Sequence, residues 1–289
     1  MSSAAGAAPG SLYVVSTPIG NMGDFSFRAV AVLNLVDGIL AEDTRHTRHL
    51  LDRYEIKTAT IPYHEHNEAK MTPVIVARLR AGESLALVSD AGTPLISDPG
   101  ARLVAAAIAA MVPVSPIPGP SALLAALVAA GLDAERFTFF GFLARSGRDR
   151  RSALGEIAKL PHTAVVYEAP NRVAGTLGEL EQLGGGDRLA VVARELTKKF
   201  EDIQRGTVAE LRAYYEDTPA RGEIVLVIGP AIHAAPSDSD IRWRVRELRA
   251  SGMSARDASA AAAGELGVPR RLAYRYARDW AEDREGGNE

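Results

Sequence analysis

The stretch that decides the fold is "SLALVSDAGTPLISDPGARLVAAAIAA", residues 84–110. Leu85–Val88 is a short apolar run of strand length, and Gly100–Ala110 carries apolar residues at helical spacing. Between them lie about ten residues dominated by Ser, Asp, Gly, Thr and Pro, where a connection in an α/β unit needs only about two to six. A buried strand running through such a loop into a helix is half of a βα unit, and in those folds ligands sit beyond the carboxyl ends of the strands. A loop this long and this poor in side chain is expected to lie against a ligand, because small residues let the backbone approach closely.

The same alternation extends on both sides. "SLYVVST" (11–17), "GILAED" (38–43) and "VPVSPIP" (112–118) read as strands, and "SFRAVAVLNLV" (26–36) and "TPVIVARLRAG" (72–82) as helices. This predicts a mostly parallel sheet covered on both faces. "IPGPSALLAALVAAG" then opens a long helix, with Pro120 and Ser121 at its start. After it, strands are expected at 136–143, 162–170, 188–196, 200–208 and 222–229. The last two are separated by a single short helix, which predicts a mixed sheet with antiparallel pairs. The expected organisation is a disordered lead-in over 1–10, one α/β domain over 11–118 and a second over 119–230. A Pro/Ser/Ala linker over 231–240 and a helical, helix-turn-helix-like tail over 241–289 complete it. Ser254 and Asp257 are expected to form a capping box in that tail.

The bulk numbers narrow the class. The chain has 289 residues, 47% of them hydrophobic, with a net charge of −3 and no cysteine. That fits a soluble protein of a reducing cytoplasm, without a disulfide framework or a thiolate nucleophile. No apolar run approaches the length of a membrane span, and the N-terminus lacks the basic and apolar regions of a secretory signal. The net charge does not suggest a nucleic-acid binder, but its distribution is uneven. "RWRVRELR" (242–249) holds four Arg and one Glu, "PRRLAYRYAR" (269–278) four Arg and no acid, and "LARSGRDRR" (143–151) four Arg and one Asp.

Polar clusters fall at the expected strand ends: "TPIGNMGD" (17–24), "EDTRHTR" (42–48), "SDAGTPLISDPG" (89–100), "PGPS" (118–121), "YEAPNR" (167–172) and "RELTKKFED" (194–202). The first matches neither a dinucleotide-binding nor a Walker glycine pattern and reads as a loop for close backbone approach. His46, His49, His64 and His66 read as surface histidines rather than zinc ligands, and no metal is expected. Ser16, Ser89 and Ser121 lack the nucleophile elbow of a hydrolase.

Seven blocks, "LYVVSTPIGNMGDFSFRAV", "AEDTRHTRHLL", "LVSDAGTPLISDPG", "PIPGPSALLAAL", "FFGFL", "VVYEAPNRV" and "ARELTKKFED", stand in one order. Over about residues 11–230 the chain thereby resembles the small-subunit ribosomal RNA 2′-O-methyltransferases of the tetrapyrrole methylase superfamily. The resemblance implies two α/β domains, S-adenosyl-L-methionine in the cleft between them, and a homodimer. It implies methyl transfer to the ribose 2′-hydroxyl of a decoding-centre cytidine of 16S rRNA in the small ribosomal subunit. Carried over, the cofactor-binding residues are Pro18, Gly20, Met22, Gly23, Asp24, Asp90, Ala91, Gly92, Thr93, Ile96, Ser121, Ala122, Glu168 and Leu196. Two departures, "IGNMGD" for G-x-G-P-G-D and Gly92-Thr93-Pro94 for Gly-Asp-Pro, weigh against a porphyrinoid substrate, which remains the alternative.

A ribose hydroxyl must lose its proton, and a carboxylate or amine in hydrogen-bond reach can take it. Glu42, Asp43, Asp90, Glu168, Glu195 and Lys198 all stand at strand ends, and the sequence does not choose among them. Arg45, Arg48, Arg145, Arg148 and Arg194 are the candidate RNA contacts; salt bridges such as Glu42–Arg45 and Arg194–Glu195 are the competing use for some of these groups. Trp243, Tyr274 and Tyr276 stand among the tail arginines, available for stacking or for helix packing.

Overall fold

A computed structural model describes residues 10–231 and 237–285, the last seven by backbone alone. The expected lead-in, except Gly10, and linker residues 232–236 lie outside the described residues, as do tail residues 286–289. The chain forms two compact units, divided after Ala231.

The first unit holds two five-stranded sheets. Sheet one is built from β1 (Leu12–Val15), β2 (Gly38–Ala41), β3 (Thr60–Pro62), β4 (Leu85–Val88) and β5 (Val114–Ile117), in the order β3-β2-β4-β1-β5. Every pairing in it is parallel. The three inner strands, β1, β2 and β4, are continuous apolar runs because both faces are covered. In β4, Ala86 and Val88 pack toward α1 (Phe27–Leu35) and α2 (Thr44–Arg53), while Leu85 and Leu87 pack toward α3 (Glu68–Arg80) and α4 (Ala101–Ala109). The loops after β1 and β2 thus lead to helices on one face and the loop after β4 to a helix on the other. That reversal opens a crevice at the carboxyl end of β4.

Sheet two contains β6 (Phe137–Phe142), β7 (Thr163–Glu168), β8 (Leu189–Arg194), β9 (Asp202–Thr207) and β10 (Ile224–Ile228), in the order β6-β7-β10-β8-β9. It is mixed, with β10 inserted antiparallel between β7 and β8. The expected mixed sheet with antiparallel pairs is therefore present, and β9 and β10, which are consecutive in the chain, are separated in it by β8. One face packs on α6 (Gly147–Lys159), α7 (Val173–Leu180) and α8 (Val208–Asp217), and the other on α5 (Ala122–Ala130).

Sequence periodicity overlooked α2. "TRHTRHLLDR" is polar on most of its surface, yet it is a helix with Asp43 as its cap and only Thr47, Leu50 and Leu51 buried. The basic stretch at 143–151, just after a strand end, likewise runs into α6, and Arg150 turns inward.

The second unit consists of α9 (Asp238–Ala250), α10 (Ala255–Leu266) and α11 (Arg270–Glu285). Alanines at 258, 262, 273 and 277 let the helices approach closely around Ile241, Val245 and Leu248. Gly267, at φ 64°, ends α10 in the left-handed conformation. The Ser254 hydroxyl does accept the Asp257 N–H at 3.1 Å, but the reciprocal bond expected of a capping box is replaced by a hydroxyl–carboxylate contact at 2.7 Å. The reciprocal box forms instead at Ser237 and Asp240. Tyr276 is buried in this core, whereas Trp243 and Tyr274 are exposed; Arg244 is paired with Glu247 and Glu265.

Candidate active site

The loop after β4 is strained and tightly held. Leu95 and Ser97 adopt φ of 73° and 69°, a region that side chains avoid, with Gly92 at 82° and Gly100 at 131°. Each such non-glycine residue costs on the order of 1–3 kcal/mol, and strain of this kind gathers at ligand sites. Its neighbours fix it. Thr17 and Gly92 exchange backbone hydrogen bonds at 2.8 and 3.1 Å. The Ser16 and Thr93 hydroxyls meet at 3.0 Å, and Thr93 donates onward to the Pro120 carbonyl at 3.1 Å. The loops following β1, β4 and β5 are thereby tied together. A Cβ at Gly100 would lie 2.6 Å from Leu87 Cδ2. Gly100→Ala is therefore expected to lose about 2–4 kcal/mol of stability, read from urea unfolding; an unchanged midpoint would contradict it.

Against these loops lies a cavity of about 430 Å³, lined from both sheets. Of the residues proposed from sequence, Glu42, Asp90, Ala91, Gly92, Thr93, Ile96, Ser121, Ala122, Glu168 and Leu196 line it. Pro18, Gly20, Met22, Gly23 and Asp24 are not among the lining residues; their loop contributes Ile19. Gly20 packs so closely under Lys198 that a Cβ would stand 2.3 Å from its Cγ. Met22–Asp24 forms a short 3₁₀ turn, with the Asn21 side chain accepting the Gly23 N–H at 2.9 Å. Sequence reasoning missed Asp98, Phe142, Tyr167, Gly222 and Glu223, all in the lining. For Asp98 a signal was present, since the quoted loop contains a second Asp, in Asp98-Pro99-Gly100.

The candidate proton acceptors separate by their partners. Asp43 caps α2, accepting the Arg45 N–H at 2.8 Å and pairing with its guanidinium at 3.1 Å, which together hold its carboxyl down to about 2. Glu168 is fully buried. It accepts the Thr176 hydroxyl at 2.6 Å and pairs with Arg172 and, at 3.6 Å, with Arg150. Glu195, held at φ 50°, accepts the Glu223 N–H and the Lys198 amine, both at 2.9 Å, and these bonds lower it. The Lys198 amine also reaches Glu223 at 3.1 Å, and those carboxylates hold it in the charged form. Asp90 accepts the Asp43 N–H at 3.0 Å. Burial pushes Glu42 up, and Asp98, Asp90 and Glu65 add to this. Asp98 is pushed up to about 6, chiefly by burial, against a hydrogen bond from Ser89 and with Asp90 adding to the rise.

Among the candidate RNA contacts, Arg45 and Arg48 pair with Asp43 and with Asp52 at 2.8 Å, and Arg194 lies 3.9 Å from Asp202. The anticipated pairs Glu42–Arg45 and Arg194–Glu195 are thus replaced by these. Arg145, Arg148 and Arg151 are exposed and make no ion pair among the described residues. The acidic residues of the cavity lining are Glu42, Asp90, Asp98, Glu168 and Glu223, and the lining includes no Lys, Arg or His; Glu168 is ion-paired with Arg172 and Arg150, and Glu223 with Lys198. Among the described residues no group of three or more His, Asp and Glu is placed to hold a metal ion.

Comparison with known proteins follows the same lines. The profile of the Tetrapyrrole (Corrin/Porphyrin) Methylases matches residues 11–212. The chain is 45% identical to the Ribosomal RNA small subunit methyltransferase I of Synechocystis sp. over 95% of this chain and 99% of that one. It is 47% identical to the protein of that name from Xylella fastidiosa (92% and 98%), and 39% identical to that of Bacillus subtilis (92% and 93%). Among solved structures, it resembles the uroporphyrin-III C-methyltransferase of Thermus thermophilus complexed with S-adenyl homocysteine. The TM-score is 0.54 at 19% identity, over 77% of this chain and 98% of that one. At that identity the likeness is one of fold.

Proposed function

The chain belongs to the tetrapyrrole (corrin/porphyrin) methylase family and, within it, to the ribosomal RNA small subunit methyltransferase I proteins; from that premise we propose that it methylates a ribose 2′-hydroxyl of 16S rRNA. S-adenosyl-L-methionine is the methyl donor and a decoding-centre cytidine the acceptor. The observation that carries this reading is electrostatic. A cavity whose lining holds Glu42, Asp90 and Asp98, none of them ion-paired among the described residues, and no basic residue suits a ligand bearing a sulfonium and an ammonium, and exposed arginines follow directly on the strand at its mouth. A carboxylate-rich porphyrinoid meets the opposite complement.

We assign cofactor contacts to Ala91, Gly92, Thr93, Ile96, Ser121, Ala122 and Leu196. Gly92 fits the role, since a Cβ there would already be 3.3 Å from Ile19. Pro18, Gly20, Met22, Gly23 and Asp24 act by bracing Ile19. When bound, the cofactor supplies an electrophilic methyl on sulfur. The residues of the cavity hold the ribose hydroxyl in line with it, and such positioning is worth up to about 7–11 kcal/mol. The hydroxyl proton passes to Asp98, with Glu42 beside it as the second acceptor. Asp43, Glu168, Glu195 and Lys198 are structural, because each is already engaged by hydrogen bonds or opposite charge, and of the four only Glu168 is among the lining residues. Arg145 and Arg148 hold phosphates, with Arg45, Arg48 and Arg194 as secondary contacts that must first exchange an acidic partner.

The two sheets act as the two halves of one catalytic body, 11–118 and 119–230, and the helical tail over 241–289 adds RNA contact through Trp243 and Tyr274. The chain pairs as a homodimer in the cytoplasm. Exposed Leu124 and Val128, one turn apart on α5, support the first statement. No helix of the described residues is long and apolar enough to cross a membrane. Purified protein is expected to transfer labelled methyl from S-adenosyl-L-methionine to small ribosomal subunits that lack the mark. Absence of transfer to those subunits, alongside methylation of uroporphyrinogen, would replace this reading with the porphyrinoid one.

A further inference from the structure

Phe142 is a large apolar side chain at the edge of the cavity that the fold leaves 63% exposed. Isolated exposed aromatics are ordinary on protein surfaces, but the backbone here is specifically bent to present this one. The pairing of β6 with β7 slips between Phe139 and Phe142, and Gly141 inside the slip stands at φ 63°. An irregularity of this kind re-aims a side chain and is common beside active sites. The bend also touches the strained β4 loop, since a Cβ on Gly141 would lie 3.1 Å from Ser97 Oγ, next to Asp98.

One side of the Phe142 ring is braced. Tyr167 packs edge-on against it with ring centroids 5.4 Å apart. Tyr167 is itself fixed by Phe139 at 4.8 Å and by the Leu123 N–H, which its hydroxyl accepts at 3.1 Å. Three residues further on, the chain reaches exposed Arg145 and then Arg148. A rigid aromatic next to unpaired arginines is how proteins grip single-stranded RNA, with the ring stacking on an unstacked base and the guanidinium groups on neighbouring phosphates.

We propose that Phe142 is the stacking platform for the target nucleobase, placing its ribose 2′-hydroxyl toward Asp98, while Arg145 and Arg148 hold the adjoining phosphates. This rests on the RNA-methyltransferase reading above. Phe142 is the most exposed large apolar residue of the lining, whereas the cofactor is assigned to the small residues Ala91, Gly92 and Ala122. Loss of one base–aromatic stack corresponds to about a ten- to hundredfold change in an equilibrium.

The test compares wild type, Phe142→Ala and Phe142→Trp in full-length protein, with unmarked small subunits as substrate. Phe142→Ala is expected to lower kcat/KM for the subunit by about ten- to hundredfold, mainly through KM. The affinity for S-adenosyl-L-methionine by calorimetry and the melting midpoint should stay as in wild type, and Phe142→Trp should restore most of the loss. Undiminished kcat/KM in Phe142→Ala overturns the proposal. So does a matching loss of cofactor affinity, which would give Phe142 to the cofactor, or a lowered midpoint that Phe142→Trp does not repair. If the wild type itself transfers no methyl to subunits, it is the underlying functional reading that fails.

Discussion

Asp98→Asn is expected to slow methyl transfer by about a hundred- to ten-thousandfold, the usual contribution of a positioned acid–base group. The carboxylate is the acceptor in its charged form, and burial lifts it to about 6. The wild-type rate should therefore rise close to tenfold per pH step below about 6 and flatten above it. The Asn variant should lack that limb. Asp90→Asn removes a negative neighbour that helps to raise Asp98 and should move the limb toward lower pH. A pH profile of single-turnover rates at saturating substrate checks all three. A limb that persists unchanged in Asp98→Asn would return the role to Glu42. Stability carries the opposite sign. Because Asp98 holds its proton more tightly folded than unfolded, its ionisation weakens the fold as pH climbs from about 4 to about 6. At pH 8 the Asn variant should melt above the wild type, trading activity for stability.

Glu168→Ala is expected to lower stability by about 3–5 kcal/mol, because it removes the buried acid shared by Arg150 and the partly buried Arg172. The Glu168 side chain is 0% exposed and that of Arg150 7%. Arg150 keeps Glu179 at 2.7 Å, but Arg172 loses the only acidic partner it has among the described residues. Glu168→Gln, which keeps an acceptor for the Thr176 hydroxyl, should lose less. Urea unfolding of the three proteins reads the difference, and a loss below about 1 kcal/mol in the Ala variant would mean that the arginines swing out to water.

The β-α alternation was legible because parallel strands covered on both faces are plain apolar runs, as β2 and β4 are. The small-residue loops were legible for the same reason: they interrupt those runs abruptly. What hid from the sequence was partnership at long range. Glu168 reads as a free carboxylate at a strand end until α6 delivers Arg150, eighteen positions earlier, against it. Asp43 reads as a candidate base until α2, too polar to announce itself, makes it a cap. Asp98 was passed over because a residue inside a turn-rich string looks like turn chemistry. Only the fold shows that the loop doubles back and brings it beside Asp90 and Glu42.

The place of β10 has a consequence for synthesis. It is the last strand of its sheet to be made, yet it is the one that joins β7 to β8. Until the ribosome has released Ile228, the nascent chain holds two separate strand pairs, β6–β7 and β8–β9, each with an open inner edge ready for wrong partners. A protein truncated after Asp217 should accordingly aggregate rather than fold its second half, even though nearly all of its catalytic groups would already be present.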